Sequence, residues 1–136
     1  MVQSIKDMDE LKTFLKAAGC KLVVVEFSAK WCGPCQRIYP LVHAMSLKYQ
    51  NVMFANVDVD ASQELAQIYH VKAVPTFQMF KQTQKVCFHG TKLLQTLTSL
   101  QIFEPINISP LCICEQIFEF CGADAQKLEA KIQELM

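Results

Sequence analysis

The chain has 136 residues, 51% of them hydrophobic and 19% charged, enough for one domain with a sizeable core. Its 13 basic and 13 acidic side chains cancel, and no basic stripe marks it for nucleic acid. No apolar run approaches the roughly 18 residues that span a membrane, and Met1–Asp7 lacks an export leader's apolar stretch. The expected compartment is therefore cytosolic and reducing, where structural disulfides are rare.

Val2–Lys6 reads as a short strand. Asp7 is a helix N-cap with Glu10 three residues on, Leu11, Phe14, Leu15 and Ala18 recur at helical spacing, and Gly19 stops the helix. Lys21–Phe27 is β-branched and almost continuously apolar, as a strand covered on both faces should be. From Pro34 a helix carries Ile38, Leu41, Val42 and Met45 on one face, with Pro40 as a kink point. Val52–Val59 is a further buried strand, and Leu65, Ile68 and Val71 mark a short third helix. Pro75–Lys81 is a strand opened by proline. This alternation predicts an α/β fold with a largely parallel sheet core.

After Val86 the pattern strand, glycine, helix occurs twice. Lys85–Gly90 is followed by Leu93, Leu94, Leu97, Leu100 and Phe103, and Gln116–Gly122 by Leu128, Ile132 and Leu135. Only one copy can complete a single sheet. The second has the better helix chemistry, with Asp124 ahead of alanine, lysine and glutamate, whereas the first is threonine-rich and stops at Pro105. Phe118–Gly122 is therefore expected as the last strand. Cys87–Gln116 is then an insertion, including the apolar Cys112-Ile113-Cys114, a potential metal or oxidation site that reads more simply as part of a poorly ordered insert.

The chemistry centres on Trp31-Cys32-Gly33-Pro34-Cys35, placed between a strand and a helix. Two cysteines at this spacing form a dithiol that can close into a disulfide. Cys32, expected to be the exposed member, heads the helix, where backbone N–H groups and the dipole favour a thiolate. Cys35 lies one turn on, placed to resolve a mixed disulfide. A zinc site would need further ligands, and no second C-x-x-C or histidine pair follows at suitable spacing. His43, His70 and His89 have no catalytic partner at a useful spacing. Glu26, inward on a buried strand, is either a carboxyl of raised pKa that exchanges a proton with Cys35 through water or an ionised residue at a sheet end.

Lys21–Val25, Trp31–Cys35, Val57-Asp58-Val59-Asp60, Pro75-Thr76-Phe77 and Phe120-Cys121-Gly122-Ala123 appear in the order and spacing of one family. Over residues 1–86 and about 118–136 the chain resembles thioredoxin. The resemblance implies a thioredoxin fold, a central mixed sheet flanked by helices with the insertion before or within its last strand. It implies protein-disulfide reduction by Cys32 and Cys35 without a bound cofactor, on disulfide-containing protein substrates, with electrons from NADPH through thioredoxin reductase. A Gly33-Pro34 pair between the cysteines goes with a potential of about −270 mV rather than the roughly −120 mV of a strong oxidant. Pro75 would be a cis proline facing the dithiol, with Val74 pairing to an extended substrate. Trp31 would cover the dithiol, and Gly122 and Ala123 would flank it, with Cys121 a packed thiol nearby. Two departures stand out: Glu26 where animal thioredoxins have aspartate, and Gln82-Thr83 where a hairpin glycine is usual. The rival reading is a redox-inactive binding module that uses the insertion or the substrate groove.

Overall fold

The computed structural model describes residues 1–83 and 113–136. In chain order they form β1 (Val2–Ile5), α1 (Met8–Ala18), β2 (Leu22–Ser28), α2 (Gly33–Lys48), β3 (Val52–Asp58), α3 (Gln63–Ile68), β4 (Thr76–Thr83), β5 (Ile113–Cys121) and α4 (Ala125–Leu135). The sheet order is β1-β3-β2-β4-β5. β1, β3 and β2 run parallel, while β4 pairs antiparallel with β2 and β5 antiparallel with β4. The sheet is mixed, as expected of a thioredoxin fold.

Local chemistry sets the boundaries. Asp7 Oδ1 accepts the Glu10 N–H at 2.8 Å and Glu10 Oε2 accepts the Lys6 N–H at 2.8 Å, so the start of α1 is held from both sides. Gly19, at φ 59°, takes the left-handed turn that ends this helix. Every residue from Leu22 to Phe27 is buried, because helices cover both faces of β2. On one face Leu22, Val24, Val52, Phe54, Phe77 and Met79 pack against Ile38, Val42 and Met45 of α2 and Leu128 and Ile132 of α4. On the other, Val23, Val25, Phe27, Ala55 and Val57 pack against Leu11, Phe14 and Leu15 of α1 and Leu65 of α3.

The second strand–glycine–helix copy supplies the last strand and helix, but β5 spans Ile113–Cys121 and so begins well ahead of the expected Phe118. The reason is packing. Cys114 is half-buried against the α1 side of the core and pairs in register with Gln82, so the hydrophobic surface of β4 continues to be covered. Cys114-Glu115-Gln116 therefore belongs to the sheet rather than to an insertion. A register shift at Met79/Phe80 lets β5 place Phe118 opposite Met79 and Gln116 opposite Phe80. The first copy and the remaining insertion residues, 87–112, lie outside the described residues, immediately ahead of this strand.

α2 carries Pro40 inside its span. Two smaller expectations change. Leu41, on the flank of the stripe formed by Cys35, Ile38, Val42 and Met45, is half exposed. α3 stops at Ile68, which faces outward, and Val71 follows beyond the helix, its N–H bonded to the Ala66 carbonyl at 2.9 Å.

Candidate active site

The α2-facing row of side chains changes character along β2 and β3. Leu22 and Val24 give way to Glu26 and Ser28, and Val52 and Phe54 to Asn56 and Asp58, which pair in register across the two strands. The polar ends lie at the carboxyl ends of parallel strands, where open α/β sheets form their ligand crevices. The N-terminus of α2 stands over this end.

Cys32 is the N-cap of α2, with extended backbone at φ −81° and ψ 106°. Its Sγ accepts the Cys35 N–H at 3.1 Å, and its carbonyl receives the Gln36 N–H at 3.2 Å. Gly33 and Pro34 form the first turn, where proline's missing N–H leaves no partner unsatisfied. Cys35 completes the turn. The two cysteines are joined by a disulfide, with Cα atoms 5.3 Å apart. Both are buried, Cys32 at 3% and Cys35 at 4% exposure, packed with Ala29 and flanked by Val59 and Val74. The expectation of an exposed Cys32 fails, because the wall on the Val59–Val74 side encloses the disulfide. What separates the two sulfurs is the backbone: only Cys32 Sγ sits at the helix cap as an acceptor, the environment that stabilises a thiolate.

Glu26 is 1% exposed. Burial pushes its carboxyl from the ordinary 4.5 up to about 7, opposed by the hydrogen bond from Asn56. That bond runs from Asn56 Nδ2 to Oε2 at 3.3 Å. Oε1 has no hydrogen-bond partner among the described residues. Glu26 and Cys35 line the same cleft of 330 Å³, together with Ser28, Ala29, Gln36 and Tyr39. A buried carboxyl titrating near neutrality, open to the space beside a thiol, is equipped for proton exchange through water.

Trp31 is 71% exposed, and its Nε1–H donates to Asp60 Oδ2 at 2.9 Å. Asp58 fixes the Asp60 turn by accepting the N–H groups of Asp60 at 2.9 Å and Ala61 at 3.3 Å. Trp31, Val59, Val71, Lys72, Ala73 and Val74 line a groove of 160 Å³ beside the disulfide. The Val74–Pro75 peptide is cis. The Pro75 carbonyl accepts the Gly122 N–H at 2.9 Å, tying the turn before α4 to this loop, and Gly122 at φ 107° occupies a conformation closed to most side chains. Ala123 is exposed beyond it. Cys121 is also exposed rather than packed, because it is the last residue of an edge strand, and its Sγ lies 3.3 Å from Thr76 Oγ1.

The structure thus gathers Trp31, Cys32, Gly33, Pro34 and Cys35 at one end of the sheet, with Glu26 below them. Pro75 and Gly122, joined by a hydrogen bond and adjacent to Val74 and Ala123, form a second strip. Sequence reasoning missed Asn56 and Asp60. Asn56 stood out only as an amide inside an apolar strand, a signal that gains meaning once the register places it opposite Glu26. Among the described residues, no three His, Cys, Asp or Glu side chains converge as a metal site, and no helix is long and apolar enough to cross a membrane. A larger cleft of 600 Å³ lies between β1, α1, α2 and β3, and among the described residues no titratable side chain lines it.

The model of the thioredoxin family matches residues 4–101. Over 136 residues, all of both chains, the sequence is 57% identical to thioredoxin domain-containing protein 8 of Homo sapiens. Over the same complete span it is 42% identical to thioredoxin of Homo sapiens. The X-ray structure of Fasciola hepatica thioredoxin superposes with a TM-score of 0.74 at 28% identity, covering 99% of this chain and 100% of that one. The chain belongs to the thioredoxin family. The family match ends ahead of β5, so the placement of the last strand rests on the observed pairing of β4 with β5. With the Cys32–Cys35 disulfide at the helix cap, thiol–disulfide exchange is the chemistry this site supports.

Proposed function

We propose that the protein is a protein-disulfide reductase. The observation that carries this reading is the Cys32–Cys35 pair at the cap of α2, with Cys35 lining the same cleft as a buried Glu26. In the reduced form the Cys32 thiolate attacks a substrate disulfide. One substrate sulfur bonds to Cys32 Sγ and the other leaves as a thiolate. Cys35 gives its proton to Glu26, attacks Cys32 Sγ and expels the second substrate thiolate. Two electrons pass from the dithiol to the substrate, and the protein is left as the disulfide. Two electrons from NADPH, delivered through thioredoxin reductase, restore the dithiol.

The groove beside Trp31 and Val74 and the strip of Pro75, Gly122 and Ala123 suit an extended peptide, which would also meet Gly33 and Pro34 at the start of α2. Insulin reduction with NADPH and thioredoxin reductase tests the whole reading. Catalytic turbidity that depends on both cysteines is expected. NADPH consumption no faster than in the Cys32→Ser variant would show a binding module instead.

A further inference from the structure

We propose that Asn56 is a positioning residue for the proton transfer at the dithiol: it occupies Glu26 Oε2 and confines the transferable proton to Oε1. This rests on the reductase reading and adds which oxygen carries the proton and what selects it.

The argument begins with register. Asn56 and Glu26 are direct partners across β3 and β2, and both face α2. Ser28 Oγ holds the Asn56 carboxamide, lying 2.8 Å from Nδ2 and 3.1 Å from Oδ1. The NH2 end also donates to Glu26 Oε2 at 3.3 Å, the bond a carboxylate there requires. A proton placed on Oε2 would face that donor head-on, donor against donor. The protonated carboxyl accordingly carries its hydrogen on Oε1. Oε1 is buried and has no partner among the described residues, and its carboxyl lines the cleft that Cys35 also lines. Asn56 thus does two jobs: it lowers the cost of the buried charge after the proton leaves, and it keeps that proton on the cleft side.

Among the described residues, no other charged side chain lines this cleft. From α2 the titratable neighbours on the cleft are Cys35 and Tyr39. From β3 the row continues to Asp58, whose Oδ1 is engaged by the backbone N–H groups of Asp60 and Ala61. From β4 the register partner of Glu26 is Phe77, and α4 presents Leu128 and Ile132 to this face.

The test uses Asn56→Leu and Ser28→Ala, with Glu26→Gln as reference. The first readout is an infrared titration of the Glu26 carboxyl, whose band Glu26→Gln identifies. It requires no catalysis. The second is the pH profile of mixed-disulfide resolution. Removing the donor to the charged form raises the midpoint, by about one pH unit for Asn56→Leu, so that resolution slows roughly tenfold at pH 6. Substrate attack by Cys32 and KM stay unchanged. Ser28→Ala, which frees the amide without removing it, shifts the midpoint upward by less, and it carries the test should Asn56→Leu fail to fold.

Midpoints unmoved in both variants overturn the proposal and leave the reductase reading intact. A resolution profile that survives Glu26→Gln overturns it as well, because Glu26 is then not the proton acceptor. A wild-type protein that reduces no disulfide sinks the reading beneath both, while the infrared titration still reports on Asn56.

Discussion

The two ends of the α2-facing row on β2 and β3 differ in almost everything except their backbone. At one end Leu22, Val24, Val52 and Phe54 are closely packed against α2 and need nothing but volume. Two residues further along, Glu26, Ser28, Asn56 and Asp58 are polar, and Glu26 Oε1 has no partner among the described residues, in an interior where such atoms are rare. The same parallel pairing, carried on without a break, serves the core first and the chemistry second. A packed end can hold a costly end in place. Substitutions should therefore fall into two kinds: those that change stability at every pH and those that change chemistry or pH dependence.

The largest expected effect is on the chemical side. Cys32→Ser should abolish disulfide reduction without trapping substrate, whereas Cys35→Ser should still attack and accumulate mixed disulfides, visible as bands that reductant removes on a non-reducing gel. Burial does not separate the two sulfurs, so this experiment tests the helix cap alone as the source of their order. Trapping by Cys32→Ser and not by Cys35→Ser would reverse the assignment.

Next comes the packed end. Phe54→Ala removes a side chain 2% exposed in the α2-side core and should cost about 3–5 kcal/mol. Urea unfolding of the oxidised protein at pH 5 and pH 8 should show the same loss at both. A loss confined to one pH would mean that the two ends of the row are coupled.

Glu26→Gln sharpens the comparison from the opposite side. The folded carboxyl titrates at about 7 against an ordinary 4.5. Between these values the unfolded chain has released the proton and the folded chain still holds it. The contribution of this group is therefore fully present below pH 4.5 and lost as pH rises through 7, by about 3 kcal/mol. Glu26→Gln should stabilise the oxidised protein at pH 8 and make the pH 5 and pH 8 urea midpoints converge. A wild-type difference that persists in the variant would place its origin elsewhere.

Much of this arrangement was legible in the chain. The apolar runs of β2 and β3, the Asp7–Glu10 cap and the C-x-x-C at a strand–helix junction are local signals, and each element they specify is present. The choice between two strand–glycine–helix copies followed from helix chemistry around Asp124, whose side chain does cap α4. What was not legible depends on contacts distant in sequence. The start of β5 at Ile113 is set by pairing with Gln82 and Thr83 across a long separation. The burial of Cys32 is set by Val59 and Val74. Asn56 acquires its meaning from register, which no single strand carries within itself.

The smallest expected effect lies at the rim, where the comparison between ends gives way to open surface. The Trp31 Nε1–Asp60 bond is exposed, so breaking it should alter stability by less than about 1 kcal/mol. Trp31→Phe keeps a ring over the groove but loses the donor, and Asp60→Ala loses the acceptor. Each should raise KM for a disulfide peptide by about two- to fivefold, equivalent to roughly 0.5–1 kcal/mol, with kcat unchanged. Because both changes remove the same bond, the double variant should be no worse than either single one. Multiplying penalties would show that the indole contributes through its surface alone, and that the Asp60 bond does not hold it over the dithiol.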